Sequence, residues 1–487
     1  MRNINSVIIL LTVNLFLFGC VAKIEEGAAA NTPRINRIEN FNPIDKDLDK
    51  IKEDGKLVAI TGYNAYSYFI YKGQPMGYEY ELLKRLAADL DIELEIVIIH
   101  ELEEMIRALN DGRGDLIAFN LTVTKERKNS ISFTEHHTLT PQVLIQKKPD
   151  NWRQMKLHQI NKMMIRSPID LIDKPLTIRR TSSYATRLTN LSDEIGEDLD
   201  ILECDPEIST EDLIAMVAEG EIEYTVSDKN IAELYSGYYP ILDIEFTISL
   251  PQRIAWAARK NSPDLLSAIN EWLKKEKKKN DYYTIYDRYF KHTKSFKKRI
   301  ISEYFSLTGG KISKYDNEIK KNAYKLGWDW RLLASLIYQE SQFKPDRTSW
   351  AGAKGLMQLM PATAKQFGAK NPNNIHQNLT AGTNYLLWLT DYWDNNVTDS
   401  IELQKFVLAS YNIGPGHIQD ATNLAEKYGA DQNTWFDNVE KFLLKKSQAK
   451  YYNDEVIQFG YAKGKETVKY VSEILDRYEQ YKKFIKE

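Results

Sequence analysis

Two textures of hydrophobic and polar positions divide the chain. In the first half, short apolar runs alternate with stretches of helical period. Lys56-Leu-Val-Ala-Ile60 and residues 94–99 read as strands rich in branched side chains. Between them, residues 79–90 set Leu82, Leu83, Leu86, Ala87 and Leu90 on one helical face. Residues 102–109 read as a second helix, and Asp111-Gly-Arg-Gly-Asp-Leu-Ile-Ala-Phe119 as a turn leading into a strand. Strands alternating with helices predict an α/β domain on a largely parallel sheet. From residue 312 onward Val and Ile runs become scarce. Residues 330–339, 362–367, 381–393, 403–411 and 466–478 all carry helical period, which predicts an all-α C-terminal domain. No repeat of solenoid length is present.

The N-terminus has a third texture. Residues 1–6 carry an Arg, residues 7–18 are an apolar run, and Gly19-Cys20 follows. A cationic start, a short apolar core and a small residue before the cut are the parts of an export signal. The run is short for a permanent bilayer-spanning helix, and no other stretch is long and apolar enough. Leu17-Phe18-Gly19-Cys20 resembles a lipobox, the signal on which bacterial lipoproteins are acylated at the cysteine. The expected layout is a signal over residues 1–19, a lipid on Cys20 and a tether over residues 20–46 that lacks periodic apolar positions. The expected location is the cell envelope, lipid-anchored at the periplasmic face of the outer membrane, although the signal itself does not choose between inner and outer membrane. A plain secretion signal with an incidental cysteine is the alternative.

Composition narrows the picture further. A chain of 487 residues is too long for one compact core. A formal charge of −3 gives no support to a nucleic-acid binder working through a basic field. The basic runs at residues 274–279 and 291–299 read as solvated faces and an interdomain segment. Cys20 and Cys204 are the two cysteines, so no disulfide framework holds the fold. Cys204 has no His or Cys at ligand spacing and reads as a buried small hydrophobe. No metal and no cofactor are expected.

In the α/β half the informative segments are Gly77-Tyr-Glu-Tyr-Glu-Leu82, Asp115-Leu-Ile-Ala-Phe-Asn-Leu-Thr-Val-Thr-Lys-Glu-Arg127 and Ile131-Ser-Phe-Thr134. Leu176-Thr-Ile-Arg-Arg-Thr-Ser-Ser183 and Ala255-Trp-Ala-Ala-Arg-Lys260 follow. In this order they resemble the periplasmic solute-binding domains that recognise amino acids, implying a two-lobed fold over residues 47–300. An Arg offers a planar fork of donors to a ligand carboxylate, and hydroxyls complete the shell. The resemblance implies that Arg127 with Thr122 takes the carboxylate, that Thr181, Ser182 and Ser183 add donors from the second lobe, and that Asp228 takes an ammonium. A surface ion pair for Arg127 and a helix cap for Asp228 are the bland alternatives. Tyr66 or Tyr68 could form an aromatic wall, and the spacing does not choose between them.

In the helical half, Trp330-Arg-Leu-Leu-Ala-Ser-Leu-Ile-Tyr-Gln-Glu-Ser-Gln-Phe343 carries the chemistry. Leu332, Leu333, Leu336 and Ile337 share one face, and Glu340 continues that stripe. A carboxylate on a buried stripe is costly unless paired, metal-bound or protonated. Burial raises its pKa and keeps it a proton donor near neutral pH, which is what breaking a glycosidic bond requires. Pairing with a distant Arg or Lys is the alternative. Further on come Ser349-Trp-Ala-Gly-Ala-Lys-Gly-Leu-Met-Gln-Leu-Met-Pro361, Leu408-Ala-Ser-Tyr-Asn-Ile-Gly-Pro-Gly416 and Glu466-Thr-Val-Lys-Tyr-Val471.

Glu-Ser, Gly-Leu-Met-Gln, Tyr-Asn-x-Gly-Pro-Gly and a final Tyr motif, in that order, resemble the family 1 lytic transglycosylases. The domain order resembles a membrane-bound subclass of that family. The resemblance implies a lysozyme-like (goose-type) all-α fold over residues 301–487, with Glu340 as the lone catalytic acid/base and Ser341 the small polar residue beside it. Ser341, Ser349, Gln358, Tyr411, Asn412 and Tyr470 would line the sugar cleft, and Ser410 stands where the family usually has Ala. The implied partners are peptidoglycan glycan strands, a small ligand of the first domain (amino acid, peptide or muropeptide) and a membrane through the lipid anchor, with no nucleic acid. The implied reaction cleaves between N-acetylmuramic acid and N-acetylglucosamine without water, closing a 1,6-anhydro ring, and the first domain would regulate it. A two-carboxylate hydrolase would need a second acid, and nothing in the sequence turns Asp329 or Asp346 toward the cleft. The competing readings are a lysozyme-like hydrolase of the same fold and a solute-binding sensor whose helical domain is inactive.

Overall fold

The computed structural model of the protein describes residues 42–486, apart from Thr181 and Pro206. The signal, Cys20 and most of the tether lie outside the described residues, as does Thr181. Among the described residues no helix is long and apolar enough to cross a membrane.

The α/β half has two sheets of five strands. The first runs in the order Glu93–Ile98, Lys56–Thr61, Leu116–Ile117, Ala257–Ala258, Ser132–Phe133. The second runs Ile201–Cys204, Leu176–Arg179, Tyr224–Asp228, Gln142–Lys147, Leu242–Asp243. In each sheet four of the five strands run the same way, as the sequence predicts of a largely parallel sheet, and one runs against them. In each, two pairings are parallel and two antiparallel. The cause is the path of the chain, which leaves the first lobe through Thr138–Thr140 and returns through Gln252–Ile254, the two paired antiparallel. Gln142–Lys147 and Ala257–Ala258 therefore enter each sheet from the other lobe, against the strands that arise by local helical crossovers.

Alternation of burial does the packing. Leu57, Ala59 and Ile60 are fully buried, and helix Tyr78–Asp89 lays Leu82, Leu83 and Leu86 on that sheet with no exposure. Gly77 starts this helix at φ 143°, and a Cβ there would lie 2.0 Å from the Ser67 carbonyl oxygen, so glycine is required. Cys204 is half-buried, not buried as expected, because its strand is the edge of the second sheet and one face meets solvent. The basic run at residues 291–299 keeps its four lysines exposed, as a solvated face should. It forms helix Thr293–Ile300, which buries Phe296 and seats the Arg299 guanidinium 5.2 to 5.9 Å from the rings of Phe69, Tyr289 and Phe296. The chain then pairs with the hairpin of the first lobe, where Ile70 N–H donates to Ser306 Oγ at 2.8 Å and Ser306 N–H to the Ile70 carbonyl at 2.9 Å.

The second half is helical, as the change of texture predicts. Its centre is helix Trp330–Ser341, in which residues 332 to 337 are all fully buried. A helix buried on nearly every side belongs inside a bundle. Helices Ile375–Trp393, Ser400–Ile413 and Lys465–Phe484 pack with it. Side-chain caps at Asn374 and Asp399 set two of their starts, which is why Ile375–Trp393 begins six residues earlier than its apolar period suggests. The last helix also docks on the first lobe. Tyr481 OH donates to the Gly73 carbonyl at 2.6 Å, and Phe484 stacks on Tyr63 with centroids 3.6 Å apart.

Candidate active site and ligand cleft

Glu340 occupies the last turn of the central helix, half-buried at the edge of the core. Tyr470, from helix Lys465–Phe484, donates its hydroxyl to Glu340 Oε1. Burial pushes the Glu340 carboxyl up to about 7, against the opposing pull of the Tyr470 hydrogen bond and the Arg347 charge. A carboxyl poised there is neutral in an appreciable fraction at pH 7 and can give up its proton. Tyr411 is the third member. Burial raises its phenol, Glu340's charge adds to the rise, and the hydroxyl donates to the Met357 carbonyl at 2.7 Å.

The backbone around this acid is held in uncommon conformations. Gln342 and Phe343 end the helix at φ 53° and 58°, and Gln358 sits at φ 45°. Gln358 Nε2 donates to the carbonyls of Arg347 at 2.9 Å and Gly355 at 2.8 Å, which closes the loop in front of the acid. The loop is pinned from behind by Asn378, fully buried. It accepts from Met357 N–H at 2.8 Å and donates to the carbonyls of Lys354 and Pro372 at 3.0 and 2.9 Å. At Gly355, with φ 82°, a Cβ would lie 2.3 Å from the Asn378 amide nitrogen, so this loop and that amide fit only around a glycine.

The other residues singled out from sequence fall in different places. Asn412 is exposed and accepts from Thr467 Oγ1 at 2.7 Å. Ser349 closes its own turn, accepting from Ala353 N–H at 3.0 Å. Ser341 departs from expectation: it is fully buried and donates to the Ile337 carbonyl at 3.1 Å, so its hydroxyl packs inward instead of lining a sugar cleft. Ser410, buried in the family's Ala position, accepts the Trp393 indole N–H at 2.8 Å. Asp329 caps the central helix and pairs with Arg331 at 2.5 Å, while Asp346 is exposed. Glu340 is left as the carboxyl that faces Tyr411 and Tyr470.

In the α/β half, a cavity between the lobes gathers Thr122, Arg127, Ser183 and Asp228. Direct hydrogen bonds close it: Ser183 Oγ donates to Thr122 Oγ1 at 3.1 Å, and Asn120 Nδ2 to Asp228 Oδ2 at 2.7 Å. Arg127 is buried, with Nη1 donating to the Thr122 carbonyl at 2.8 Å, and burial lowers its guanidinium to about 10. Asp228 starts a helix without capping it, so its carboxylate is turned to the cavity. Burial pushes that carboxyl up to about 7, against the Asn120 and Tyr184 hydrogen bonds and the Arg127 charge, and Oδ1 finds no partner among the described residues. Tyr66 lines the cavity, whereas Tyr68 is in the core against Phe484. Asn120, Tyr184, Arg179 and Glu211 also line it and were not singled out from sequence, although Asn120 and Arg179 lie inside the quoted segments.

Residues 56–292 match the bacterial extracellular solute-binding proteins, family 3, and residues 317–434 match the transglycosylase SLT domain. The second match contains Glu340, Gln358, Tyr411 and Asn412 and ends before Tyr470. The chain is 35% identical over 434 residues to the membrane-bound lytic murein transglycosylase F of Desulfosudis oleivorans, covering 89% of this chain and 91% of the relative. It is 32% identical over 438 residues to the protein of that name from Pseudomonas syringae pv. tomato, covering 89% and 84%. Among solved structures, a mutant of ArgBP from T. maritima is 23% identical with a TM-score of 0.42, covering 50% of this chain and 99% of that one.

Proposed function

The chain belongs to the membrane-bound lytic murein transglycosylase F family, and from that premise we propose that Glu340 performs both proton transfers of the cleavage. The enzyme acts on peptidoglycan. The observation that carries the assignment is a half-buried carboxyl at about 7 that receives the Tyr470 hydroxyl. Neutral Glu340 protonates the oxygen between N-acetylmuramic acid and N-acetylglucosamine, and the bond to the muramic C1 breaks. The substrate's acetamido oxygen stabilises the positive centre. Ionised Glu340, with Tyr470 donating to it, then takes the proton from the muramic 6-hydroxyl as that oxygen bonds to C1. One carboxyl serves both steps because giving up its proton makes it a base. The internal hydroxyl is held by the sugar itself and has a large proximity advantage over a diffusing water. Tyr411, Gln358 and Asn412 are the groups we assign to seating the sugar. Mass spectrometry of digested peptidoglycan is expected to give 1,6-anhydromuramic ends, lighter by one water than the reducing ends of a hydrolase. Mainly reducing ends would replace this reading with a lysozyme-like hydrolase of the same fold.

The cavity between the α/β lobes is read as the site of an amino acid, peptide or muropeptide, with its carboxylate on Arg127 and its ammonium on Asp228. Regulation of cleavage is the role such a site would have here. For the envelope location, we assign the anchor to a lipid on Cys20. Cys20→Ala protein is expected to leave the detergent phase in which the parent partitions, and equal partitioning of the two would remove the anchor.

A further inference from the structure

A row of aromatic rings starts beside the acid and runs out to the surface. Tyr411 packs 5.2 Å from Tyr385, and Tyr385 lies nearly parallel to Trp388, centroids 6.1 Å apart and planes 20° apart. Trp388 is followed by Tyr392 at 5.9 Å, and Phe367 flanks the row 5.1 Å from Tyr385. Tyr385, Trp388 and Tyr392 stand at i, i+3 and i+7 on helix Ile375–Trp393, one face spanning about 10 Å along the axis, comparable to a disaccharide. Trp388 and Tyr392 are 42% and 39% exposed, while the neighbouring Trp393 is buried and donates its indole N–H to Ser410. Core packing therefore accounts for Trp393 and not for the other two.

We propose that Tyr385, Trp388 and Tyr392 form a track that holds the glycan strand beyond the point of cleavage. Pyranose rings carry apolar faces of C–H bonds that stack on aromatic faces, and a line of rings repeats that contact along a polymer. The track is continuous with Tyr411, so a strand seated at Glu340 meets it without leaving the surface. Two partly exposed rings are far too small an area for a stable contact with a second copy of the chain. The proposal rests on the reading of the protein as a peptidoglycan-cleaving enzyme.

The test measures cleavage of uncrosslinked glycan strands against a tetrasaccharide from the same polymer. For Trp388→Ala and Tyr392→Ala, kcat/KM on long strands is expected to fall about five-fold or more, through KM, with the penalty on the tetrasaccharide much smaller. Trp388→Phe should recover most of the loss. In Glu340→Gln protein, whose strands remain uncut, the fluorescence change of Trp388 on strand binding should weaken in parallel when Tyr392 is replaced. An equal loss on both substrates, a loss in kcat, or a lowered Tm would make the row a packing feature and overturn the track. So would aromatic substitutions that change only self-association or binding to phospholipid vesicles. If the parent cuts no strand of any length, the peptidoglycan reading itself fails. If it cuts and the length dependence is unmoved, the track alone fails.

Discussion

Glu340→Gln protein should fold normally and lose strand cleavage by about a thousand-fold or more in kcat. The amide keeps the shape of the carboxyl and can still accept from Tyr470, but it has no proton to give to a leaving oxygen. Substitution by a second acid is not available nearby, because Asp329 is engaged by Arg331 and Asp346 lies exposed. The parent's kcat should fall as pH rises through about 7, where the acid loses its proton. Stability gives an independent reading. The Glu340 carboxyl is raised in the folded state from its ordinary 4.5 to about 7, so its neutral form favours folding. That contribution is fully present below pH 4.5 and is lost as pH rises through about 7. Gln has no such dependence, so the variant's Tm should gain on the parent's between those values. Near-parental cleavage by Glu340→Gln would remove the acid from both the transglycosylase and the hydrolase readings.

Arg127→Ala should weaken ligand binding at the cleft by about 2–4 kcal/mol, a rise in Kd of roughly thirty- to a thousand-fold. The guanidinium is buried between Thr122 and the charge of Asp228, so its planar fork works in a site from which water is largely excluded. The effect reaches the second anchor as well. Arg127's charge lowers the Asp228 carboxyl, so its removal pushes that group further up and leaves less carboxylate for a ligand ammonium. Binding to the parent near pH 7 should release a proton as an incoming ammonium ionises Asp228, and calorimetry in buffers of different ionisation heat reads this directly. The titration uses the whole protein with free amino acids, peptides and soluble muropeptides. Arg127→Lys, which keeps the charge and loses the fork, should fall between parent and Ala. Parental affinity in Arg127→Ala would displace the carboxylate site. No heat with any of these ligands would make the α/β half a structural domain.

Much of this was legible in the sequence because local rules govern it. The switch from alternating strand and helix to continuous helical period marks the two halves, since period follows from backbone geometry residue by residue. The stripe of Leu332, Leu333, Leu336 and Ile337 places Glu340 at the edge of a core without knowledge of what surrounds it. The ordered motifs carry Tyr411 and Tyr470 toward one acid. They also carry Thr122, Arg127, Ser183 and Asp228, spread over more than a hundred residues, toward one cavity.

Tertiary structure decided the rest, where the answer depends on a segment far away in the chain. Whether Ser341 meets sugar or core depends on which side of the helix end is covered, and it is covered. The direction of Gln142–Lys147 in its sheet depends on the chain crossing between lobes, which no local period records. Cys204 is half-buried because its strand is an edge, and strand order is a global property. The hydroxyl that meets Glu340 comes from 130 residues onward, and the amide that pins the loop before it is Asn378, in a helix whose own pattern predicts only packing. A sequence specifies which face of an element is apolar through short-range geometry. What that face meets, and so which carboxyl is desolvated enough to hold its proton near neutral pH, is set by contacts between segments that only the folded chain brings together.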